Sequence, residues 1–461
     1  MNSRLIDKIR EIVGKENVLI SEEERKCYSF DARAHGSVPD LVIFPKSASQ
    51  VSEVLKLANE HNFPVIPRGQ GSGVTGGAVS ISGGVVMVFT KMNRILEIDK
   101  ENLIAIVEPG VITYEFQEEV KKHGLFYPPD PASHKYSTIG GNVAECAGGP
   151  NSLKYGVTRD YVLGLQVVLP TGEIIETGVR TMKGVVGYDL TRLFVGSEGT
   201  LCVITKIILK LIPLPESKAT LLVFFREVED AAICVSGIIS ARIVPAVMEF
   251  MDRASVICSE MANPIGIPEE TGALLLIEVD GDEASVKAQV EKIIPILKEK
   301  KASEFRITYD PKESEALWLA RRTLSQATYN LNPVKVAEDV VVPRSKIPIL
   351  IRKLEVLSEE LNIPILSFGH AGDGNFHVSI MIKDEPRDWE KAEKAVREIF
   401  KETIQLGGTI SGEHGIGTLK SDYIDMELSR EALITMAKIK KLFDPNNILN
   451  PGKIFPKYMK F

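Results

Sequence analysis

RGQGSGVTGGAVSISGGVVMVF, residues 68–89, decides between two architectures. Gly71-x-Gly73-x-x-Gly76 spells a dinucleotide fingerprint. That motif works only where a helix opens inside the glycines and turns its N-terminus toward the pyrophosphate. Here AVSISGGVVMVF follows, an alternating β-branched run with a second glycine pair, so the segment reads as loop then strand. A Rossmann domain is rejected on that ground. A P-loop is rejected because no Gly-Lys-Ser/Thr follows. What remains is a loop dense in backbone N–H groups, with Arg68 adding charge, which suits an anion. Taken alone it would serve equally as a plain glycine-rich turn.

Two further stretches shift that balance. YPPDPASHKYSTIGGNVAECAGGPNSLKYG (127–156) carries the pairs Gly140-Gly141 and Gly148-Gly149, and GYDLTRLFVGSEGTL (187–201) sets Gly196 and Gly199 around Glu198. Backbone approaches a flat or charged ligand closely only where Cβ atoms are missing. Three such segments within about 130 residues suggest a long ligand threaded between two subdomains. The surrounding pattern is α+β. Residues 1–35 read as helical, 47–62 as an amphipathic helix, 63–67 as a short strand, and 83–111 as strand–turn–strand–strand.

Together, RGQGSG, PPDPAS with TIGGNVAECAGG, KYGVTRDYVLGLQVVLPTGE and GYDLTRLFVGSEGTLCVIT resemble the FAD-binding domain of the vanillyl-alcohol-oxidase/p-cresol-methylhydroxylase (PCMH) flavoproteins. The C-terminal half resembles their FAD-linked oxidase branch, which includes D-lactate and D-2-hydroxyglutarate dehydrogenases and the catalytic subunit of glycolate oxidase. The resemblance implies that Arg68, Gly69, Gln70, Gly71, Ser72 and Gly73 wrap the FAD pyrophosphate. It implies that Ser133, Gly140, Gly141 and Asn142 line the flavin and its phosphates, and that Glu198 holds the adenosine side. Some relatives tether FAD through a histidine soon after the first glycines; Ser72 stands there, so non-covalent FAD is expected. FDPNNILNPGKIF (443–455) matches the C-terminal signature, which would return Asn450 to the flavin.

SFGHAGDGNFHVSI (367–380) and SGEHGIG (411–417) hold three of the seven histidines. The first reads as strand, glycine turn, strand, so His370 and His377 can reach one sheet edge. Neutral imidazoles with a carboxylate suit a divalent transition metal with open positions. By resemblance, His370, His377 and Glu413 are metal ligands and His414 is the catalytic base; zinc, manganese and iron(II) all fit. Asp373 and Asn375 read as turn formers. Residues 313–330 read as a helix in which Arg321 and Arg322 diverge by about 100°. Resemblance favours Arg321 for the substrate carboxylate, with Lys335 a further substrate-binding candidate.

These readings imply three segments: a two-subdomain FAD-binding domain (1–215), an α+β substrate or cap domain (216–408), and a C-terminal segment (409–461) that closes on the flavin. The 461 residues are 44% hydrophobic and 25% charged, with a net charge of −7 and no basic stripe, which argues for a globular chain and against nucleic acid. No apolar run reaches the roughly 18 residues of a membrane span. A cytoplasmic protein, peripheral to a membrane only through a partner, is expected, and a homodimer is compatible with the composition. The five cysteines are scattered without a C-x-x-C pair, which disfavours a cluster in this chain. Electrons from a small 2-hydroxy acid would then leave FAD for a separate acceptor, such as an iron–sulfur subunit or an electron-transfer flavoprotein. The rival readings are an electron-transfer flavin subunit with an inactive acid site, and a metal-dependent hydrolase.

Overall fold

The computed structural model describes residues 1–459. The chain forms two compact units. One comprises Met1–Gly148, Val157–Leu214 and Glu413–Phe461, and the other Gly149–Gly156 and Pro215–Gly412.

The first unit is built on two main sheets. A four-stranded sheet runs in the order Val18–Leu19, Leu41–Ile43, Val85–Val88, Val65–Arg68. Its last three strands are parallel neighbours. Helix Ala48–His61 buries Val51, Val54, Leu55 and Ala58 as the heptad-like spacing requires. Ser47 caps its start, and Asn62 ends it in the left-handed region at φ 56°. The N-terminal reading needs correction. Residues 1–35 are not one helical region: helix Ser3–Val13 stops at Gly14, whose φ is 88°, and strand Val18–Leu19 intervenes before helix Glu22–Lys26. The second sheet is antiparallel, in the order Ile95–Asp99, Ile104–Val107, Val203–Lys210, Val162–Val168, Ile174–Gly178.

No helix forms between Arg68 and Val85, as the rejection of the Rossmann reading requires. The C-terminal segment belongs to this unit. The Asn450 amide N–H donates to the Val65 carbonyl at 2.8 Å, and Ile454 N–H to Gly417 at 2.9 Å. Lys440 and Asp444, both almost fully buried, pair with each other, and Lys440 Nζ also donates to the carbonyls of Thr200 and Leu449.

The second unit holds a seven-stranded antiparallel sheet. Its order is Glu304–Thr308, Ser217–Phe225, Ala273–Gly281, Val247–Asp252, Ile365–His370, Asn375–Ile382, Val334–Val341. The central strands are buried residue after residue, from Ala219 to Phe225 and Ala273 to Val279. Their near-continuous apolar runs therefore mark a sheet covered on both faces. A core of Leu222, Phe224, Met251, Leu274, Trp318, Leu324 and Phe368 lies on one of them.

Candidate active site

In the first unit the glycine segments line one cavity. Arg68–Gly73, Pro131–Ser133, Ser137–Thr138, Gly140–Asn142 and Glu198–Gly199 contribute, and so do Glu413 and His414. All the expected cofactor residues except Asn450 are in that lining. Much of it is backbone, and the side chains explain why. Gly71 sits at φ 72°, and a Cβ there would lie 2.0 Å from Arg68 Nη2, so glycine is required at the turn. The Arg68 guanidinium is itself largely buried. Its Nη1 donates to the Phe30 carbonyl at 2.8 Å and the Ala78 carbonyl at 3.3 Å. It therefore shapes the loop as well as facing the cavity. Thr138 caps helix Ile139–Glu145 by accepting from Gly141 N–H at 3.1 Å, and Asn142 Nδ2 donates to Thr113 Oγ1 at 2.8 Å.

Glu198 and Asn450 act inside the fold. Glu198 Oε1 accepts from Ile416 N–H at 2.8 Å and Oε2 from Gly417 N–H at 2.6 Å. Asn450 Nδ2 donates to the carbonyls of Gly77 and Glu198, both at 2.8 Å. The pair thus ties the loop after His414 and the C-terminal tail to the glycine loops. The His414 carbonyl accepts from Thr75 Oγ1 at 3.1 Å, which anchors the backbone of the proposed base. Its Nε2 lies 3.9 Å from Glu413 Oε1.

In the second unit the β-register explains the histidines. His377 pairs with Phe368 across the hairpin, so His370, two residues beyond Phe368, is its diagonal neighbour on the same face. Their Nε2 atoms are 3.4 Å apart and the rings are perpendicular. Each imidazole also faces a carboxylate on the next strand. Glu249 is directly opposite His370, and Asp339 directly opposite His377. Glu249 Oε1 lies 2.5 Å from His370 Nδ1, and Asp339 Oδ1 lies 3.8 Å from His377 Nδ1. Asp339 is further held by Asn375 Nδ2 at 2.6 Å and Gly412 N–H at 2.8 Å, so Asn375 does more than shape its turn.

Arg321 turns inward and Arg322 outward, as their angular separation demands. Arg321 Nε and Nη2 both reach Glu249 Oε2 at 2.7 Å, and its guanidinium lies over the Phe368 ring. Arg322 is more exposed and pairs with Glu315. Burial would raise the Glu249 carboxyl, but the adjacent His370 and Arg321 outweigh it and hold it at about 2. Lys335 Nζ donates to the carbonyl and hydroxyl of Ser325 at 2.7 and 2.8 Å.

Sequence reasoning missed Glu249 and Asp339. Glu249 stands as an acid inside the fully buried strand VMEFMD, and Asp339 in the buried stretch of VKVAEDVV. An acid at an inward position of such a run is costly unless it is paired, and that was the available signal. The two imidazoles fit a cation. Two nitrogens bound tetrahedrally at about 2.1 Å would sit about 3.4 Å apart, and a carboxylate on Nδ1 leaves Nε2 as the donor atom.

Comparison with known proteins shows the family. The family described as FAD linked oxidases, C-terminal domain, matches residues 214–454, and the FAD binding domain family matches residues 39–178. The chain is 47% identical to the glycolate oxidase subunit GlcD of Bacillus subtilis (strain 168), covering 98% of this chain and 96% of that protein. It is 38% identical to a D-lactate dehydrogenase of Anaerostipes hadrus, over 98% and 97% of the two chains. The solved structure of p-cresol methylhydroxylase with substrate bound superposes with a TM-score of 0.83 at 18% identity, covering 99% and 98% of the two chains, and so shares the fold. With a PCMH-type FAD-binding fold and a matching C-terminal half, this chain belongs to the FAD-linked oxidase family of oxidoreductases.

Proposed function

We propose that the protein oxidises a small 2-hydroxy acid to the 2-oxo acid, acting on the D configuration where the carbon is chiral. Relatives named glycolate oxidase subunit and D-lactate dehydrogenase support the substrate class. The observation that carries the metal-assisted form of the reaction is the pair of imidazole Nε2 atoms 3.4 Å apart, with Glu249 on the far side of His370. His370 and His377, with Glu413 as third ligand, would hold a divalent zinc, manganese or iron ion. FAD, held without a covalent bond, supplies a two-electron acceptor, and the cation supplies Lewis acidity toward the substrate oxygens.

The chain's own groups supply the rest. His414 accepts the hydroxyl proton. Arg321 spends Nε and Nη2 on Glu249, so its role toward the substrate carboxylate falls to Nη1. Lys335, anchored on Ser325, adds positive charge for the same carboxylate. Glu249 keeps His370 in the tautomer that presents Nε2. Among the described residues no helix is long and apolar enough to cross a membrane, and the cysteines carry no cluster spacing. In this reading electrons pass to a separate acceptor protein, an iron–sulfur subunit or an electron-transfer flavoprotein, and the enzyme works in the cytoplasm or at a membrane surface through that partner.

Anaerobic mixing with a panel of D- and L-2-hydroxy acids tests the substrate class. Bleaching of the yellow protein with formation of the 2-oxo acid is expected from the D or achiral members. A yellow protein inert to the whole panel would instead indicate an electron carrier, and rapid stoichiometric peroxide formation in air by this chain alone would overturn the separate acceptor.

A further inference from the structure

Glu145 is a half-buried acid for which the reaction above has no use. It ends helix Ile139–Glu145 and lines the cavity formed by the glycine loops. Part of its side chain faces the opening, but Oε2 is out of contact with solvent and has no hydrogen-bond partner among the described residues. The carboxyl is wedged between two loops. Its Oε1 lies 2.6 Å from where a Cβ on Gly77 would sit, and its Oε2 lies 2.4 Å from the corresponding point on Gly415. Glu198 Oε1 reaches that same point on Gly415 to 3.1 Å.

Two carboxyls therefore share one corner, and their donors are divided unequally. Glu198 takes two backbone N–H groups, from Ile416 and Gly417, which suits the ionised form. Asp31 is likewise satisfied by the N–H groups of Gly76 and Ala34, at 2.7 and 2.5 Å. Lys453 is a buried cation acting on this group, and its Nζ donates to the Val79 carbonyl at 2.5 Å. Two buried lysines, Lys453 and Lys420, act on this corner, and of its three acids only Glu145 lacks a donor on an oxygen that is shut off from water. A second negative charge there would find no hydrogen-bond donor on Oε2.

We propose that Glu145, as a neutral carboxylic acid, donates a hydrogen bond through Oε1, the oxygen beside cavity-lining Gly77, to an acceptor atom of the bound flavin. A protonated carboxyl is a donor as well as an acceptor, and the ligand of this cavity is rich in acceptors. The surroundings agree. Burial first, and then the neighbouring Glu198 and Asp31, push the Glu145 carboxyl well above the ordinary carboxylate range, against the pull of Lys453. Burial also leaves Glu198 raised, against the pull of its two backbone donors; Glu145 has no such donors on Oε2, so we assign the shared proton to Glu145. The inference concerns the cofactor pocket and stands apart from the choice of substrate and metal.

Difference infrared spectroscopy of the apoprotein against the FAD-reconstituted protein tests it. A C=O stretch of a protonated carboxylic acid is expected, absent in Glu145→Gln, that moves to lower frequency when FAD binds. In parallel, fluorescence titration should show Glu145→Gln, which keeps an N–H donor, binding FAD within about threefold of wild type. Glu145→Leu should bind about tenfold more weakly, the scale of one net hydrogen bond. No protonated-acid signal from Glu145, a signal that FAD leaves unmoved, or undiminished FAD affinity in Glu145→Leu would each overturn the proposal.

Discussion

Glu249, fully buried, and Glu145, half-buried, are two glutamates, one in each unit, with opposite electrostatic fates. Burial acts on both in the same direction, against the charge. Glu249 faces His370 Nδ1 at 2.5 Å and Arg321 at 2.7 Å, and stays ionised. Glu145 faces a second carboxyl that has already taken the nearby backbone donors, and stays neutral. The comparison teaches that partners, not depth, decide what a buried acid does. It also separates the work of the two units. The first grips a cofactor mostly with backbone, so a side-chain acid there finds few donors. The second arranges charged side chains by β-register, so Glu249 and Asp339 each face a histidine on the next strand.

The largest effects should fall on the proposed metal ligands and the proposed base. His377→Ala should lose the metal, read by elemental analysis, together with flavin reduction by substrate; full metal occupancy in that variant would remove it from the ligand set. His414→Ala should slow flavin reduction by about 10³-fold, within the range of a general base, while FAD stays bound. An unchanged rate would end its role as base.

Glu249 comes next. Replacing it by Gln removes the charge that orients His370 and should weaken metal affinity by about 10- to 100-fold, as expected for a carboxylate behind a metal-bound imidazole. Asp339→Asn should do less, because Asp339 sits 3.8 Å from its histidine rather than 2.5 Å. Equal losses in the two variants would break the ranking by distance.

The smallest effect is the sharpest test of the comparison. In apoprotein at neutral pH, Glu249→Gln and Glu145→Gln should change the melting temperature in opposite directions. Glu249 has a lowered folded value, so its contribution is complete above the unfolded value of 4.5 and is lost as pH falls toward about 2. Glu249→Gln should thus be less stable than wild type near pH 7, and the deficit should shrink in acid. Glu145 has a raised folded value, so its contribution is complete below 4.5 and is lost as pH rises. Glu145→Gln cannot ionise and should gain on wild type as pH climbs above 4.5. Shifts of the same sign would break the contrast.

Much of the cofactor half was legible because glycines announce themselves. GGAVSISGGVVMVF cannot open a helix, and the cavity lining draws on all three glycine segments. The hairpin carrying His370 and His377 was equally readable from its turn. What could not be read was register. Nothing local in VMEFMD says that Glu249 will stand opposite His370, more than a hundred residues later. The same gap hid the partner of Arg321: helical geometry turned it inward, but the acid it meets lies on a distant strand. Glu145 was hidden differently. AECAGG reads as a close-approach segment, and the shortage of donors around its acid depends on where Glu198 and Gly415 arrive in space.

The central claim is tested most directly by anaerobic reduction of the bound flavin with D-lactate and glycolate, before chelation, after it, and after the metal is restored. The account predicts bleaching by at least one acid, its loss on chelation with FAD still bound, and its recovery with zinc, manganese or iron(II). Bleaching that survives complete removal of the metal would contradict the role given to His370, His377 and Glu413.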